Sequence, residues 1–439
     1  MSKLEELIKE YCPDGVEYKT LGEMGRFYSG LSGKSKEDFQ NGNAKFITYR
    51  NVYSNPALKL DVDDTVKIKD GEKQNTLQYG DVVFTGSSET PDECGISSVL
   101  TVRTQEKLYL NSFCFIFRFD DESVMLPDFS KHLFRSDELR YQISKTANGV
   151  TRYNVSKKLM EKVKIPLPPI PVQREIVRIL DNFSQLTAEL TAELTAELAA
   201  RKKQYSFYRD QLLTFAAEPA KGNDAHMSRL DRMIRELCPD GVEYKTLGEI
   251  ATISRGGNFQ KKDFLGSGFP CIHYGQIYTR YGLFAEHTFT YLSEENAAKQ
   301  KKASKNEIIM AVTSENIEDV CKCVAWLGEG EVAVSGHTAI IHHDQNPKYL
   351  TYYFQTQMFF DQKRKLAHGT KVIEVTPDKL LNVKIPLPPL EIQREIVSIL
   401  DRFDALCNDL SSGLPAEIEA RKKKYEYYRD KLLSFEIKN

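Results

Sequence analysis

Val163 to Phe215 reads VKIPLPPIPVQREIVRILDNFSQLTAELTAELTAELAARKKQYSFYRDQLLTF, and Val383 to Phe435 reads VKIPLPPLEIQREIVSILDRFDALCNDLSSGLPAEIEARKKKYEYYRDKLLSF. The two align without a gap at an offset of 220, so that Asp181 meets Asp401, Arg201 meets Arg421 and Phe215 meets Phe435. Self-similarity on this scale decides the architecture before any local reading, because one supersecondary unit is being used twice.

Each copy opens with an extended, proline-rich stretch (Ile165–Pro169 and Ile385–Pro389) in which proline fixes φ and excludes helix. A helical pattern then starts near Pro171 and near Leu390. Its apolar stripe in copy one runs Ile176, Ile179, Phe183, Leu186, Leu190, Leu194, Leu198, Tyr205, Tyr208, Leu212 and Phe215. From Phe183 to Tyr205 the chain advances 22 residues in six turns, the ~3.67 per turn of an 11-residue repeat, which predicts a nearly straight or slightly right-handed pairing. The stripe is expected to be core between two helices. About 45 residues at ~1.5 Å each give a rod of roughly 65–70 Å, longer than one globular domain uses, and we read it as a spacer. Copy one fills its centre with three tandem TAEL units, Thr187–Leu190, Thr191–Leu194 and Thr195–Leu198. Copy two has Ser411-Ser412-Gly413-Leu414-Pro415 there, which predicts a kink or restart, since proline suits only a first turn.

Outward from the helices, YCPDGVEYKTLGE at 11–23 returns as LCPDGVEYKTLGE at 237–249. The repeating unit is therefore this short segment, a variable domain of roughly 140 residues, a proline-rich strand and a long helix. The expected boundaries are 1–170, 171–216, 217–232, 233–389 and 390–436, with the polar stretch Glu218–Met227 as a flexible linker. The variable domains diverge but keep landmarks: Phe46–Tyr53 with Cys271–Tyr278, Gly80–Glu89 with Asn306–Glu315, and Asn148–Arg152 with His368–Val372. The first two pairs read as short strands ending in polar loops, and helices are expected around 128–146 and 348–367. The fold class is α+β, with two variable domains of short strands and helices separated by two long antiparallel helices.

Composition narrows the classes further. The chain has 439 residues and 41% hydrophobic content, ordinary for globular protein. No apolar run approaches ~18 residues and the first residues lack a signal-peptide core, so a cytoplasmic location and no membrane partner are expected. Eight cysteines offer only one close pair, Cys321 and Cys323, which does not make a zinc site. The net charge of −2 says little for nucleic acid, but Lys/Arg runs between 255 and 305 and near 365 could line phosphates. No Asn/Asp-Pro-Pro-aromatic motif, no S-adenosylmethionine loop and no GxxxxGK[ST] loop is present. His342-His343 reads as hydrogen-bonded or solvent-facing rather than metal-ligating, and no catalytic residue or metal site is assigned.

Two variable domains, each followed by IPLPP…QREIVxILDxF…RKKxYxYYRDxLLxF, with TAEL repeats in the central helix, resemble the DNA-specificity subunit of a type I restriction–modification system. The resemblance covers essentially the whole chain and is most specific in the helices. It implies two target-recognition domains held apart by an antiparallel helix pair, each reading one half of a bipartite, asymmetric double-stranded DNA target. It implies a chain without catalytic activity of its own, serving two methyltransferase subunits that form N6-methyladenine and restriction/translocase subunits that cleave. No cofactor is expected in this chain; S-adenosylmethionine, ATP and Mg2+ belong to those partners. Within the family, three TAEL units go with a longer spacer, about 6–7 unread base pairs, each unit adding ~6 Å of helix.

Base reading requires polar and basic side chains on loops that can reach a groove. The candidates are Tyr28, Lys34, Arg50, Ser87, Ser88, Glu89, Thr151 and Arg152 in the first domain. In the second they are Arg255, Lys261, Lys262, His273, Thr313, Ser314, Thr370 and Lys371. Methyltransferase docking is expected on two equivalent helix clusters, Arg201, Lys202, Lys203, Tyr205 and Arg209, and Arg421, Lys422, Lys423, Tyr425 and Arg429. Two other readings remain open: the specificity chain of a fused methyltransferase–nuclease, and a protein-binding scaffold.

Overall fold

The computed structural model describes residues 2–215, 228–408 and 413–438. It divides into two compact units, one made of Met1–Glu193 with Ile418–Asn439 and the other of Leu194–Glu417. The boundary falls inside the first long helix, Ile170–Thr214, a single helix of 45 residues as its pattern required. Copy two is two helices, Leu390–Asn408 and Leu414–Leu433. Pro415 sits in the first turn of the second, and Glu417 N–H already bonds to Gly413 O at 3.2 Å. The expected restart is present, while Ser411 and Ser412 lie outside the described residues, as does the linker Glu218–Met227.

In the first unit a four-stranded antiparallel sheet runs in the order Gly25–Ser29, Cys114–Phe119, Val82–Thr85, Ser97–Val99. Val82-Val83-Phe84-Thr85 is fully buried because both faces of the sheet are covered, and its alternation shows how. Val82 and Phe84 join a core with Phe117, Phe129, Phe134 and Ile176, while Val83 faces Ile47, Leu100 and Ile116. The second unit repeats this with Ile308 and Met310 on one side and Ile309 and Ala311 on the other.

One deeply placed pair of this sheet has been rewritten between the units. Asp81, fully buried, takes Arg118 as a bidentate partner at 2.7 Å, with Tyr28 stacked 5.0 Å from the guanidinium. At the same strand positions of the second unit, Glu307 bonds to His342, whose Nε2 lies 2.8 Å from Ser254 Oγ. The Ser-His-Glu alignment is therefore the counterpart of an ion pair that locks two strands.

The helical excursions are each two short helices, Pro127–Leu133 and Asp137–Ser144, then Pro347–Tyr353 and Gln357–Leu366. They pack on the long helices, and a glutamine of the QRE motif fixes the joint. Gln173 is fully buried; it donates to Val124 O (2.9 Å) and Pro168 O (2.8 Å) and accepts from Leu126 N–H (2.9 Å). Gln393 does the same with Pro388 O, Gln345 and Asn346 N–H.

Two expectations need correction. Phe46–Tyr53 and Cys271–Tyr278 are strands only in their first halves, because Thr48 and His273 cap the helices Tyr49–Ser54 and Tyr274–Thr279. The apolar stripe is also not one continuous seam. Val172, Ile176 and Leu180 bury against the domain core, and Leu186 is 51% exposed. Phe183 instead stacks on Tyr425 (6.2 Å) and meets Tyr428 edge-on (5.5 Å), as Phe403 stacks on Tyr208 (5.9 Å) in the other unit.

Candidate nucleic-acid interface

In the first unit, Val82–Thr85 runs out into the short strand Ser87–Ser88, which pairs with Tyr153–Val155. The turn before that strand, Asn148 to Arg152, folds back on itself. A Cβ at Gly149 would stand 2.0 Å from Arg152 O, so only glycine fits. The result is an open cleft of about 550 Å³ that brings together Ser87, Ser88, Glu89, Thr151 and Arg152. Five of the eight expected residues therefore share one site.

Its walls were not among the candidates. Tyr49 and Tyr53 stack along one helix face at 6.1 Å, Tyr49 Oη donating to Ser87 O (2.9 Å) and Tyr53 Oη to Glu93 (2.9 Å). Ser88 Oγ donates to the other oxygen of Glu93 at 3.1 Å. The hydroxyls of Tyr53 and Ser88 hold the Glu93 carboxyl below its ordinary range. Arg152 reaches Ser87 Oγ at 3.1 Å and lies 5.8 Å from the ring of Phe113, itself 59% exposed. Among the described residues Arg152 forms no ion pair, so its charge remains available to an anion. Phe113 had a legible signal, a turn before a strand in NSFCFIF, matched by SGHTAII around His337.

Three candidates lie elsewhere. Lys34 Nζ is tied to Glu72 at 2.6 Å and to Lys67 O, and its side chain is 4% exposed. Tyr28 packs under Arg118 beside Tyr79 and Gly80. Arg50 is exposed on the helix Tyr49–Ser54.

The second unit repeats the strand pairing and the glycine turn, while the cleft beside them is lined by other segments, 257–261, 273–274 and 335–337. Thr313–Ser314 pairs with Ile373–Glu374, and the turn between His368 and Val372 again needs glycine, at Gly369 (φ +106°). Tyr278 Oη donates to Thr313 O at 2.7 Å, the role of Tyr49 toward Ser87. His337 Nδ1 is 3.3 Å from Thr313 Oγ1 and borders a cleft of about 550 Å³ with Lys261, Tyr274 and Asn258. Thr370 and Lys371 are exposed at the turn, Lys262 is exposed beside Lys261, and Ser314 is half-buried. Arg255 is committed to Glu374 at 3.2 Å. His273 lines the same cleft but is 7% exposed, its Nδ1 accepting Gly275 N–H as a helix cap. Burial lowers its basicity.

The helix clusters expected to dock a partner separate into two faces. Tyr205 (8% exposed) and Arg429 (9%) point inward, and Tyr425 Oη accepts from Ser184 Oγ at 2.9 Å. Arg209 pairs with Asp210 at 2.7 Å, and Arg429 with Asp137 at 3.0 Å. Arg201 leans on Glu197, and Lys423 on Glu419. Arg421 is half-buried, and Lys202, Lys203 and Lys422 are exposed. The outward aromatics are instead Phe207 (64%) and Tyr427 (62%), equivalent across the repeat and flanked by Tyr208 and Tyr428. Among the described residues no group of three or more His, Cys, Asp or Glu could hold a metal, and no helix is long and apolar enough to cross a membrane.

Comparison with known proteins agrees with this repeat. The family described as type I restriction modification DNA specificity domain matches residues 13–200 and 239–420. A type I restriction enzyme EcoR124I/EcoR124II specificity subunit from Escherichia coli is 36% identical over 296 residues, 64% of this chain and 65% of that protein. The chain thus spans about two thirds of that relative's length. A putative type I restriction enzyme specificity subunit from Haemophilus influenzae is 32% identical over 299 residues, 65% of this chain and 68% of its own. A solved chain from work on complex assembly and conformational transition of the type I R-M system matches with a TM-score of 0.66 at 19% identity, covering 96% of this chain and 98% of its own. With one family domain in each half of the repeat, the chain belongs to the type I restriction modification DNA specificity family.

Proposed function

We propose that this chain is the specificity subunit of a type I restriction–modification complex and that each cleft reads one half of a bipartite DNA target. The observation that carries this is the recurrence of one frame, a strand-end loop paired with the strand that follows a glycine turn, in two domains whose side chains there differ. A shared frame with different side chains is what two readers of different sequences require. Arg152, Lys261 and Lys371 suit phosphate or base-edge contacts; Ser88, Glu89, Ser314 and Thr313 suit groove contacts. The spacer of about 6–7 base pairs follows from the family's use of TAEL units, each ~6 Å of helix.

The chain itself is not catalytic in this reading. Two methyltransferase subunits supply N6-adenine methylation with S-adenosylmethionine, restriction/translocase subunits use ATP and Mg2+, and the assembly works in the cytoplasm. The methyltransferase sites are the outward faces at Phe207-Tyr208 and Tyr427-Tyr428, where an exposed aromatic with a lysine one helical turn before it, Lys203 or Lys423, gives an anchor beside a basic group.

The test is methyladenine mapping across the genome of cells carrying this chain with its methyltransferase, against cells lacking the chain. A two-part motif with an unread gap, lost on deletion of the chain, is the expected result. Removing Thr191–Leu194 should shorten the gap and leave both halves intact. Unchanged methylation without the chain, the methyltransferase being expressed, refutes the proposal.

A further inference from the structure

Two cations are withdrawn from solvent in places where, among the described residues, neither forms an ion pair. Lys363 is 5% exposed. Arg140 is half-buried, and burial lowers its basicity to about 10. Both spend their donors on backbone. Arg140 Nη2 bonds to Asp92 O (2.7 Å) and Cys94 O (2.6 Å), and Nη1 to Gly95 O. Lys363 Nζ bonds to Glu318 O (2.9 Å) and Val320 O (2.6 Å).

The landmark that places Ser88 on Ser314 places Asp92 on Glu318 and Cys94 on Val320. The same two carbonyls are therefore clasped in both units. The cations reach them from different positions, Arg140 from the fourth residue of the helix Asp137–Ser144 and Lys363 from the seventh of Gln357–Leu366. Unlike side chains from non-equivalent positions converge on one point, which indicates a requirement of the loop rather than an inherited contact.

The loops are closed in the same way. Gly95 N–H bonds to Thr85 O (3.1 Å) and Cys321 N–H to Ala311 O (2.8 Å), both residues left-handed at φ +63° and +67°. A buried cysteine held there is strained. Burying a charge without a counter-ion is costly, and a loop that merely connected two strands could be tied by neutral groups. What the arrangement supplies is a fixed course for Ser88–Pro91 and Ser314–Ile317, and base reading demands placement to about 0.5 Å.

We propose that Arg140 and Lys363 are positioning residues for target recognition, each locking the loop that presents its unit's reading side chains. This rests on the DNA-recognition reading above. The test uses the full chain in its methyltransferase complex, with the methylated sequence mapped for Arg140→Met and Lys363→Met, for the exchanges Arg140→Lys and Lys363→Arg, and for Arg152→Ala in the cleft itself. Arg140→Met should lower discrimination about tenfold or more, the scale of one lost base contact, in one half of the target only. Lys363→Met should do so in the other half, and the cation exchanges should restore selectivity. A merely destabilised subunit would lose methylation at the whole site without relaxing one half.

Full selectivity in both Met variants, with Arg152→Ala altering the sequence read, overturns the clamp and leaves the recognition reading standing. Selectivity unchanged in all three overturns both. If Arg140→Met does not fold, Arg140→Gln is read by the same mapping and by amide exchange over residues 88–95. Unchanged protection and unchanged selectivity then overturn the clamp.

Discussion

Replacing Gln173 by methionine keeps the volume of a fully buried side chain and removes all of its hydrogen bonds. Leu126 N–H loses its acceptor, and Val124 O and Pro168 O each lose a donor. An orphaned buried N–H costs ~2 kcal/mol, and two carbonyls that keep a second lone pair cost ~0.5–1 kcal/mol each. The apolar side chain returns ~1 kcal/mol. The net loss is about 2–3 kcal/mol, and at ~2–4 °C per kcal/mol for a body of this size the unit should melt roughly 4–12 °C earlier. Calorimetry of the full chain, with amide exchange to assign the transition to the first unit, measures this. Gln393→Met should act on the second unit and somewhat less, since one of its partners is the side chain of Gln345, which can turn to water. A shift under ~2 °C for Gln173→Met would mean that the joint between domain and helix is held by the apolar contacts alone.

Phe207→Asp should weaken methyltransferase binding at one site by ~30-fold or more, and Tyr427→Asp at the other, as judged by subunit stoichiometry in native mass spectrometry; two methyltransferases retained in the double variant would rule out that face. Tyr205→Phe should leave docking intact and raise stability by up to ~1 kcal/mol, because its buried hydroxyl has no hydrogen-bond partner among the described residues; a lower melting temperature would show that the hydroxyl is satisfied after all. Lys34, with Lys69 N–H and Gln74, pulls the Glu72 carboxyl from its ordinary 4.5 to about 2. A depressed carboxylate stabilises above its unfolded value and loses that contribution as pH falls, so the Lys34–Glu72 tie should give way between pH 4.5 and 2. Glu72→Gln should abolish this acid step in proteolysis of the loop, and an unaltered step would place it elsewhere. Gly149→Ala, which puts a Cβ 2.0 Å from Arg152 O, should relax one half of the target and spare the other, read by methylation mapping.

The helices were legible because a rod leaves its periodicity in the sequence, and the restart at Pro415 because one residue type forbids the alternative. The glycine turns and strand-end loops were legible because they recur between domains that otherwise differ. What the repeat could not show was direction. Tyr205 and Phe207 are both aromatic and two residues apart, yet one is 8% exposed and the other 64%, a difference set by what packs on the helix. Lys34 and His273 show a related limit: a basic side chain on a loop looks the same in sequence whether it is free, tied to a carboxylate as Lys34 is, or capping a helix as His273 does. Tyr49, Tyr53 and Phe113 went unread because an aromatic wall has no spacing of its own until the fold brings its pieces together.

The first unit takes its last helix from the far end of the chain, with Leu433 in its core and Tyr18 Oη bonded to Phe435 O. On the ribosome that helix arrives late. About 225 residues separate Glu193 from Ile418, and at ~5–20 residues per second the wait is roughly 10–45 s. Throughout that interval the nascent domain shows the apolar surface meant for Leu432, Leu433 and Phe435. The second unit, continuous in sequence, can close while the first is still waiting, so the portion made first is the portion finished last. Chaperone demand should therefore concentrate on the amino-terminal half during synthesis.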